Sequence, residues 1–261
     1  MSKTAVITGA TSGIGAAFAR RLAQDGYDLI ITGRKKDIIQ KLADDLSQRY
    51  GVGVNVIIAE LSDDDDYRKL ADAVKSREDI EMVVNNAGYS GYARHFEEVD
   101  IAEHEKMVKV HQVVPMRLVA LTVPGMIKRK KGAIINLSSI ASFLYLPSGS
   151  IYCSTKAFIR MYSQCLYLEL KDKGIRVQAL CPGFTDTNFA KEYYPEDMLE
   201  QFAKTGMMTP EKVVDYSLAS LKKKNKPVCI PGLSNNIMVR FFPSMPAGLY
   251  ASMQTRMTPW R

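Results

Sequence analysis

Short apolar runs alternate along the chain with longer segments in which apolar residues recur at helical spacing. The runs predict buried strands at Lys3–Thr8, Asp28–Thr32, Val54–Ala59, Ile80–Val84, Ala133–Leu137, Ile175–Leu180 and, as an edge strand, Pro227–Ile230. An amphipathic helix is predicted over residues 16–25, directly after the first strand. This alternation predicts an α/β fold in which a doubly wound parallel sheet carries helices on both faces.

The length of 261 residues is compatible with one α/β domain or two small ones. No run of Gly, Ser or Pro divides the chain, so we predict a single domain over residues 1–261. Within it, residues 184–210 are predicted to form a long insert and residues 231–261 a C-terminal tail. Apolar residues make up 46% and charged residues 24%, as in ordinary soluble globular proteins.

The ends and the cysteines of the chain bear on its location. The first strand is predicted within the first few residues, so no targeting segment is expected. No run of about 18 apolar residues is present, so no integral membrane segment is expected. The four cysteines show neither metal spacing nor a disulfide framework. We expect them to be reduced thiols in a cytoplasmic protein with no metal site.

The net charge is +7, and basic clusters occur at residues 34–36, 128–131 and 222–226. Such clusters can bind nucleic acid or anionic membranes. We interpret the second and third as solvated helix ends, where lysines suit the helix dipole, and expect no nucleic-acid partner. The acidic run at residues 63–66 predicts a helix start, where carboxylates cap free N–H groups.

A glycine-rich turn joins the first strand to the first helix. Gly9, Gly13 and Gly15 give the spacing G-x-x-x-G-x-G, and a second strand follows the helix. Glycines permit tight turns and let the backbone approach a pyrophosphate without interference from Cβ atoms. The βαβ unit therefore predicts a phosphate site at the helix N-terminus.

A tyrosine and a lysine are spaced by one helical turn near the middle of the chain. Tyr152 and Lys156 can lie on one helix face, and the pair Ser138-Ser139 precedes them. A phenol normally has a pKa of about 10. A nearby ammonium favours the phenolate and brings the phenol pKa toward the range needed for acid–base catalysis.

Taken with Asn85–Gly88 and Pro182-Gly183, these motifs resemble the short-chain dehydrogenase/reductase family over residues 3–190. The resemblance implies one Rossmann-type domain that transfers hydride between a nicotinamide cofactor and a carbonyl or alcohol carbon. It implies that Tyr152 donates the proton, and that Lys156 binds the nicotinamide ribose and lowers the pKa of Tyr152. It also implies that a serine polarises the carbonyl. Ser139 fits the family interval, and Ser138 is the alternative.

The resemblance also implies a set of cofactor-binding residues. They are Gly9, Thr11, Ser12, Gly13, Ile14, Gly15, Arg34, Lys35, Leu61, Asn86, Ala87, Gly88, Tyr152, Lys156, Pro182, Gly183, Thr185 and Thr187. Arg34 stands where NAD-binding relatives place a carboxylate, and a guanidinium can hold a 2′-phosphate in bidentate fashion. NADP(H) is therefore expected, although Ser12 replaces the basic residue of many NADP-preferring relatives. Glu60 stands where relatives place an acid against the adenine.

One position departs from the family pattern. Relatives carry an asparagine at the site of His111, where it stabilises a helix kink and a water linked to the lysine. His111 could pass protons in the same place, or it could be a tolerated substitution in which only backbone geometry matters. Weakened catalysis is a third interpretation, and the intact Ser139, Tyr152 and Lys156 count against it.

The segments expected around the substrate are rich in aromatic residues and Met and poor in charge. They are residues 89–96, 140–147 and 184–210, and they predict a lipophilic ketone or secondary alcohol as substrate. The alternatives are a non-catalytic NADP(H)-binding regulator and a reductase of small polar carbonyls. The tail could be a lid, a dimer contact or a membrane-surface element. Pro243 and Pro246 favour the first two, and a homodimer is expected.

Overall fold

The computed structural model describes residues 3–90, 95–188, 196, 199–200, 207–223 and 226–257. Within them a parallel sheet has the order β3-β2-β1-β4-β5-β6-β7. Its strands are β1 Thr4–Ile7, β2 Asp28–Gly33, β3 Val54–Ile58, β4 Ile80–Asn85, β5 Gly132–Leu137, β6 Ile175–Leu180 and β7 Val228–Cys229. Each predicted strand is confirmed. The edge strand β7 is only two residues long.

Helices cover both faces of the sheet, as predicted. They are α1 Gly13–Gln24, α2 Lys36–Tyr50, α3 Asp64–Lys75, α4 Ile101–Val108, α5 Val114–Arg129, α6 Ser150–Leu170, α7 Pro210–Lys223, α8 Leu233–Phe241 and α9 Ala247–Met257. A π-helical turn, Lys109–Val113, joins α4 to α5. The acidic run begins α3 as expected, since the Asp63 carboxylate accepts hydrogen bonds from the N–H groups of Asp65 and Asp66.

The central strands are buried on both sides because two apolar clusters pack against the sheet. Ile7 belongs to the cluster that holds α1 and α2, whereas its neighbour Val6 belongs to the cluster that holds α3 and α5. Parallel strands covered in this way leave ligands only the edge where the strands end. The chain reverses its direction of winding between β1 and β4, and this reversal opens a crevice at the carboxyl ends of those strands.

One helical stretch among the described residues, Ile101–Arg129, is long and apolar enough to cross a membrane by length and composition alone. Its residues Val114, Leu118 and Met126 lie in the cluster beneath the sheet, and α5 packs against α3, β4 and β5. The apolar composition of this stretch follows from its packing within the domain.

Candidate active site

Apart from His111, the predicted site residues lie after the carboxyl ends of successive strands or on α6. Gly9, Thr11, Ser12, Gly13, Ile14 and Gly15 follow β1; Arg34 and Lys35 follow β2; Leu61 follows β3; Asn86, Ala87 and Gly88 follow β4; Ser139 follows β5; Pro182, Gly183, Thr185 and Thr187 follow β6; Tyr152 and Lys156 lie on α6. One edge of the sheet therefore collects residues from segments far apart in the chain.

The glycine-rich turn is built so that its backbone can meet an anion. Gly9 and Gly13 have φ values of +69° and +56°, which favour glycine. A Cβ on Gly9 would lie 2.8 Å from the Ala87 Cα, and one on Gly15 would overlap the Gly9 carbonyl. The N-cap Ser12 makes no side-chain capping bond, and the first turn of α1 holds no acidic residue. The first N–H groups of α1 therefore suit a cofactor pyrophosphate.

Asn86 and Thr8 hold the segment after β4 against this turn. The Asn86 Nδ2 donates to the carbonyls of Thr8 and Gly9, each at 2.9 Å. The Thr8 Oγ1 accepts from the N–H groups of Asn86 and Ala87, each at 3.0 Å. The sequence pattern assigns no role to Thr8. Its burial and its two bonds make it the support on which the two cofactor segments meet.

Arg34 is paired with an acid at the open end of this crevice. Its Nη1 donates to the Glu60 Oε2 at 3.1 Å, and the Arg34 side chain remains 67% exposed. The other Glu60 oxygen accepts from the Ser62 N–H and hydroxyl. Partial burial raises the pKa of Glu60, but the bonds from Ser62 and Arg34 outweigh it and leave the pKa below its ordinary value. Both oxygens are thus engaged within the protein.

Tyr152 and Lys156 lie on one face of α6, and both are buried. The Lys156 Nζ stands 5.6 Å from the centroid of the Tyr152 ring and donates to the Leu137 carbonyl at 3.0 Å. Burial lowers the pKa of Lys156 to about 8 from 10.5. A Cβ on Gly88 would come within 3.5 Å of the same Nζ, so the amine faces the segment after β4.

The two serines after β5 have different surroundings. The buried Ser138 hydroxyl donates to the Lys156 carbonyl at 2.8 Å and fixes α6 to the strand end. The Ser139 Oγ accepts from the Ala141 N–H at 3.1 Å, and its side chain is partly exposed. The Ser139 hydroxyl proton is consequently available to another acceptor, whereas the Ser138 proton is engaged.

His111 lies in the π-helical turn and bridges two segments of the site. The Tyr89 N–H donates to the His111 Nε2 at 3.1 Å, so the neutral ring carries its proton on Nδ1. That proton is shared with the Thr155 Oγ1 at 2.9 Å, and Thr155 in turn donates to the Tyr152 carbonyl. Burial, followed by the charge of Lys156, holds the pKa of His111 well below 6.5. Both ring nitrogens are therefore occupied.

The segment after β6 contacts both the glycine-rich turn and the C-terminal tail. The Thr187 methyl would lie 3.0 Å from a Cβ on Gly13. Asn235 of α8 occupies the space that a Cβ on Gly183 would need. Thr185 pairs with Met208, so the two ends of the insert lie side by side. The sequence gives no signal for the approach of Asn235, because it depends on how the tail folds back.

The tail also reaches the segment that follows Ser139. The buried Tyr250 of α9 donates its hydroxyl to the Tyr145 carbonyl at 3.0 Å, and the two ring centroids lie 4.1 Å apart. Several aromatic and Met residues predicted to line the substrate pocket lie outside the described residues: Tyr92, Phe189, Tyr193, Tyr194, Met198 and Phe202.

This geometry agrees with comparisons to known proteins. A family model described as short chain dehydrogenase matches residues 3–197, so the chain belongs to that family and is an oxidoreductase. The match confirms the resemblance that the motifs indicate.

Individual proteins of this family are similar to the chain over most of its length. The very-long-chain 3-oxoacyl-CoA reductase of Rattus norvegicus is 33% identical over 215 residues, 80% of this chain and 69% of that protein. A short-chain dehydrogenase from Sphingobium yanoikuyae in complex with NADPH has a TM-score of 0.83 at 30% identity, over 99% of this chain and 96% of that one. The bulky-bulky ketone specific alcohol dehydrogenase from Comamonas testosteroni has a TM-score of 0.76 at 29% identity, over 97% and 91%.

Proposed function

We propose that the protein is an NADP(H)-dependent reductase that interconverts a lipophilic ketone and its secondary alcohol. The observation that carries this proposal is the grouping of Tyr152, Lys156 and an available Ser139 hydroxyl beside the glycine-rich turn. A bound nicotinamide cofactor supplies or accepts the hydride. A regulator that only binds the cofactor has no need for all three side chains.

Tyr152, Lys156 and Ser139 have different roles in the transfer of a proton to the substrate. Tyr152 donates a proton to the oxygen of the substrate carbonyl. The Lys156 ammonium nearby stabilises the resulting phenolate, and its remaining N–H groups would hold the ribose of a bound cofactor. Ser139 donates a hydrogen bond to the same substrate oxygen and so orients and polarises the carbonyl.

His111 is proposed to act as a positioning residue. Its two bonds tie the backbone of Tyr89, after β4, to Thr155 beneath Tyr152. A neutral ring with both nitrogens engaged is poorly suited to carry protons from solvent. Of the interpretations open from the sequence, the one in which this position maintains local geometry has the stronger support.

The preference for NADP(H) is proposed from Arg34 and Lys35. Arg34 is held at the carboxyl end of β2 by Glu60 and keeps most of its surface exposed, so it can turn toward a 2′-phosphate. The Sphingobium yanoikuyae relative binds NADPH.

Arg34→Ala should weaken NADPH binding by at least about tenfold while changing NADH binding little, since charge-assisted bonds contribute roughly 1.5–3 kcal/mol. Exposed Arg68→Ala on α3 is the control. Equal losses for both cofactors would argue against this assignment.

A lipophilic substrate is supported by the segments around the site and by the names of two relatives. One relative is a very-long-chain 3-oxoacyl-CoA reductase, and another is an alcohol dehydrogenase specific for bulky ketones. In this chain the rings of Tyr145 and Tyr250 pack against each other in the segment that follows Ser139. Small polar carbonyls remain the alternative substrate class.

The deciding experiment measures NADPH consumption with ketones that range from small and polar to steroid-sized. Turnover is expected to rise with apolar size and to fall by at least about a hundredfold in Tyr152→Phe, as for loss of a general acid. Tyr162→Phe, on the same helix, is the matched control and should retain activity. Tight NADPH binding without turnover on any ketone would instead support the regulator.

We also propose a cytoplasmic homodimer. All four cysteines are free thiols, as is usual for a protein of a reducing compartment. Met161 and Leu168 are exposed along α6 and offer an apolar surface to a second copy. Light scattering measures the mass directly, and Leu168→Ser should reduce it if this surface forms the contact.

A further inference from the structure

The positive charge of this chain arises from its C-terminal part. Residues 1–215 carry 28 basic and 28 acidic side chains, whereas residues 216–261 carry seven basic side chains and no acidic one. The seven are Lys222, Lys223, Lys224, Lys226, Arg240, Arg256 and Arg261. A segment of 46 residues without an acid therefore accounts for the whole net charge of +7.

Helix α8, within this segment, presents an apolar row to solvent. Leu233, Ile237 and Phe241 are spaced four residues apart and so lie along one face of the helix. They are 79%, 59% and 59% exposed, and Leu249 on α9 is 57% exposed. Val239, on the other side of α8, is buried against the domain. The helix thus has one face packed and one face uncovered.

The chemistry of the segment identifies what can cover this row. An apolar row in a segment whose charged side chains are all basic matches an anionic lipid surface, where the row enters the acyl boundary and the cations meet phosphates. A symmetric contact between two copies would instead bring like charges together. We propose that α8 docks on membranes that carry anionic lipids. The row needs only the nine residues of α8, so the prolines that end the helix do not prevent docking.

The basic cluster near β7 is located to assist this contact. β7 is the edge strand of the sheet, and α8 follows it after a short turn. Lys222 and Lys223 end α7, and Lys226 directly precedes β7. Lys222 and Lys226 therefore stand on either side of the connection into the edge strand from which α8 follows. Charges near a lipid surface add attraction even where they do not enter it.

Docking at α8 would orient the site toward the lipid. Asn235 and Asn236 anchor the start of α8 through bonds to the carbonyls of Pro231 and Ile230, and Asn235 also packs on Gly183. α8 also contacts the turn Ile140–Phe143, which follows Ser139. A lipophilic ketone could then enter from the bilayer. This last step rests on the proposed function, whereas the docking itself does not.

The test is co-sedimentation of the full chain with phosphatidylcholine vesicles, with and without phosphatidylglycerol, at low and high salt. Binding is expected only with phosphatidylglycerol and should weaken with salt. The double variant Ile237→Ser/Phe241→Ser should lower it by at least about tenfold, since two buried side chains are lost. Arg240→Gln should lower it about fivefold. Ile101→Ser removes an equally exposed side chain on α4 and should change nothing.

Three results would overturn the proposal: no binding to phosphatidylglycerol vesicles, unchanged binding by the double variant, or a double variant whose mass in light scattering falls to half. The last would show that α8 contacts a second copy. Circular dichroism and NADPH binding confirm that each variant is folded. Because sedimentation requires no substrate, loss of the ketone reductase proposal would leave this result intact.

Discussion

Replacing the buried amine of Lys156 tests the electrostatics of the site without requiring a substrate. Burial lowers the pKa of this group to about 8, against 10.5 in an unfolded chain. Below pH 8 both states are protonated, and folding bears the full cost of burying the charge. Between about pH 8 and 10.5 the folded amine loses its proton first, so the cost disappears and stability rises.

The free-energy cost of burying the charged Lys156 amine follows from its folded and unfolded pKa values. At about 1.36 kcal/mol per pKa unit, the difference corresponds to roughly 3 kcal/mol. Lys156→Met removes this cost but also removes the hydrogen bond to the Leu137 carbonyl, which contributes about 1 kcal/mol. The variant should therefore unfold with a free energy about 2 kcal/mol higher than the wild type at pH 7. Above pH 10.5 it should be about 1 kcal/mol less stable.

Urea denaturation at several pH values measures this difference. Cys181 and Cys229 also make stability depend on alkaline pH, because burial raises their pKa values to about 11 and about 12. Because Cys181 and Lys156 shift each other's pKa, the difference between the two proteins isolates Lys156 only below the ordinary thiol pKa of 9.0, where the thiols are protonated in both the folded and the unfolded chain. Lys173→Met, at an exposed position, is the control. A difference that is absent at pH 7, or constant with pH, would refute the reasoning.

Four further outcomes are expected. Gly15→Ala should weaken NADPH binding in calorimetry by at least about tenfold, because its Cβ would overlap the Gly9 carbonyl; Gly248→Ala, which has open space, should not. Asp63→Ala should lower the free energy of unfolding in urea by about 1 kcal/mol through loss of the α3 cap, and an unchanged midpoint would contradict this role. Tyr250→Phe should reduce kcat/KM for bulky ketones about fivefold, as expected when one neutral hydrogen bond holding the Tyr145 segment is lost; an effect on kcat with small ketones alone would oppose it. His111→Asn should lower kcat and leave its pH dependence unchanged, whereas a shifted pH profile would restore the proton-relay interpretation.

Much of the fold follows from local patterns. The strands were predictable because each is a short apolar run that burial on both sides of a parallel sheet requires. The glycine-rich turn was predictable because positive φ values and close backbone approach leave few alternatives to glycine. The end of α8 near Pro243 also follows from chain chemistry, since proline removes a donor and hinders a continuing helix.

Other parts of the site depend on contacts between distant segments. Ser138 and Ser139 are neighbouring residues of the same type. The approach of the Lys156 carbonyl engages the Ser138 hydroxyl and leaves the Ser139 hydroxyl available. The pairing of Arg34 with Glu60 requires β2 and β3 to end side by side. The contact between Tyr250 and Tyr145 joins residues 105 positions apart.

The sequence by itself determined the family, the order of the strands along the chain and the residue types that the chemistry needs. Those features are local, because turn geometry, periodicity and helical spacing act over a few residues. The tertiary structure decided which hydroxyl is available, how His111 is held and which face of α8 is uncovered. These depend on burial and hydrogen-bond partners supplied by remote segments, and neither is fixed until the whole domain has packed.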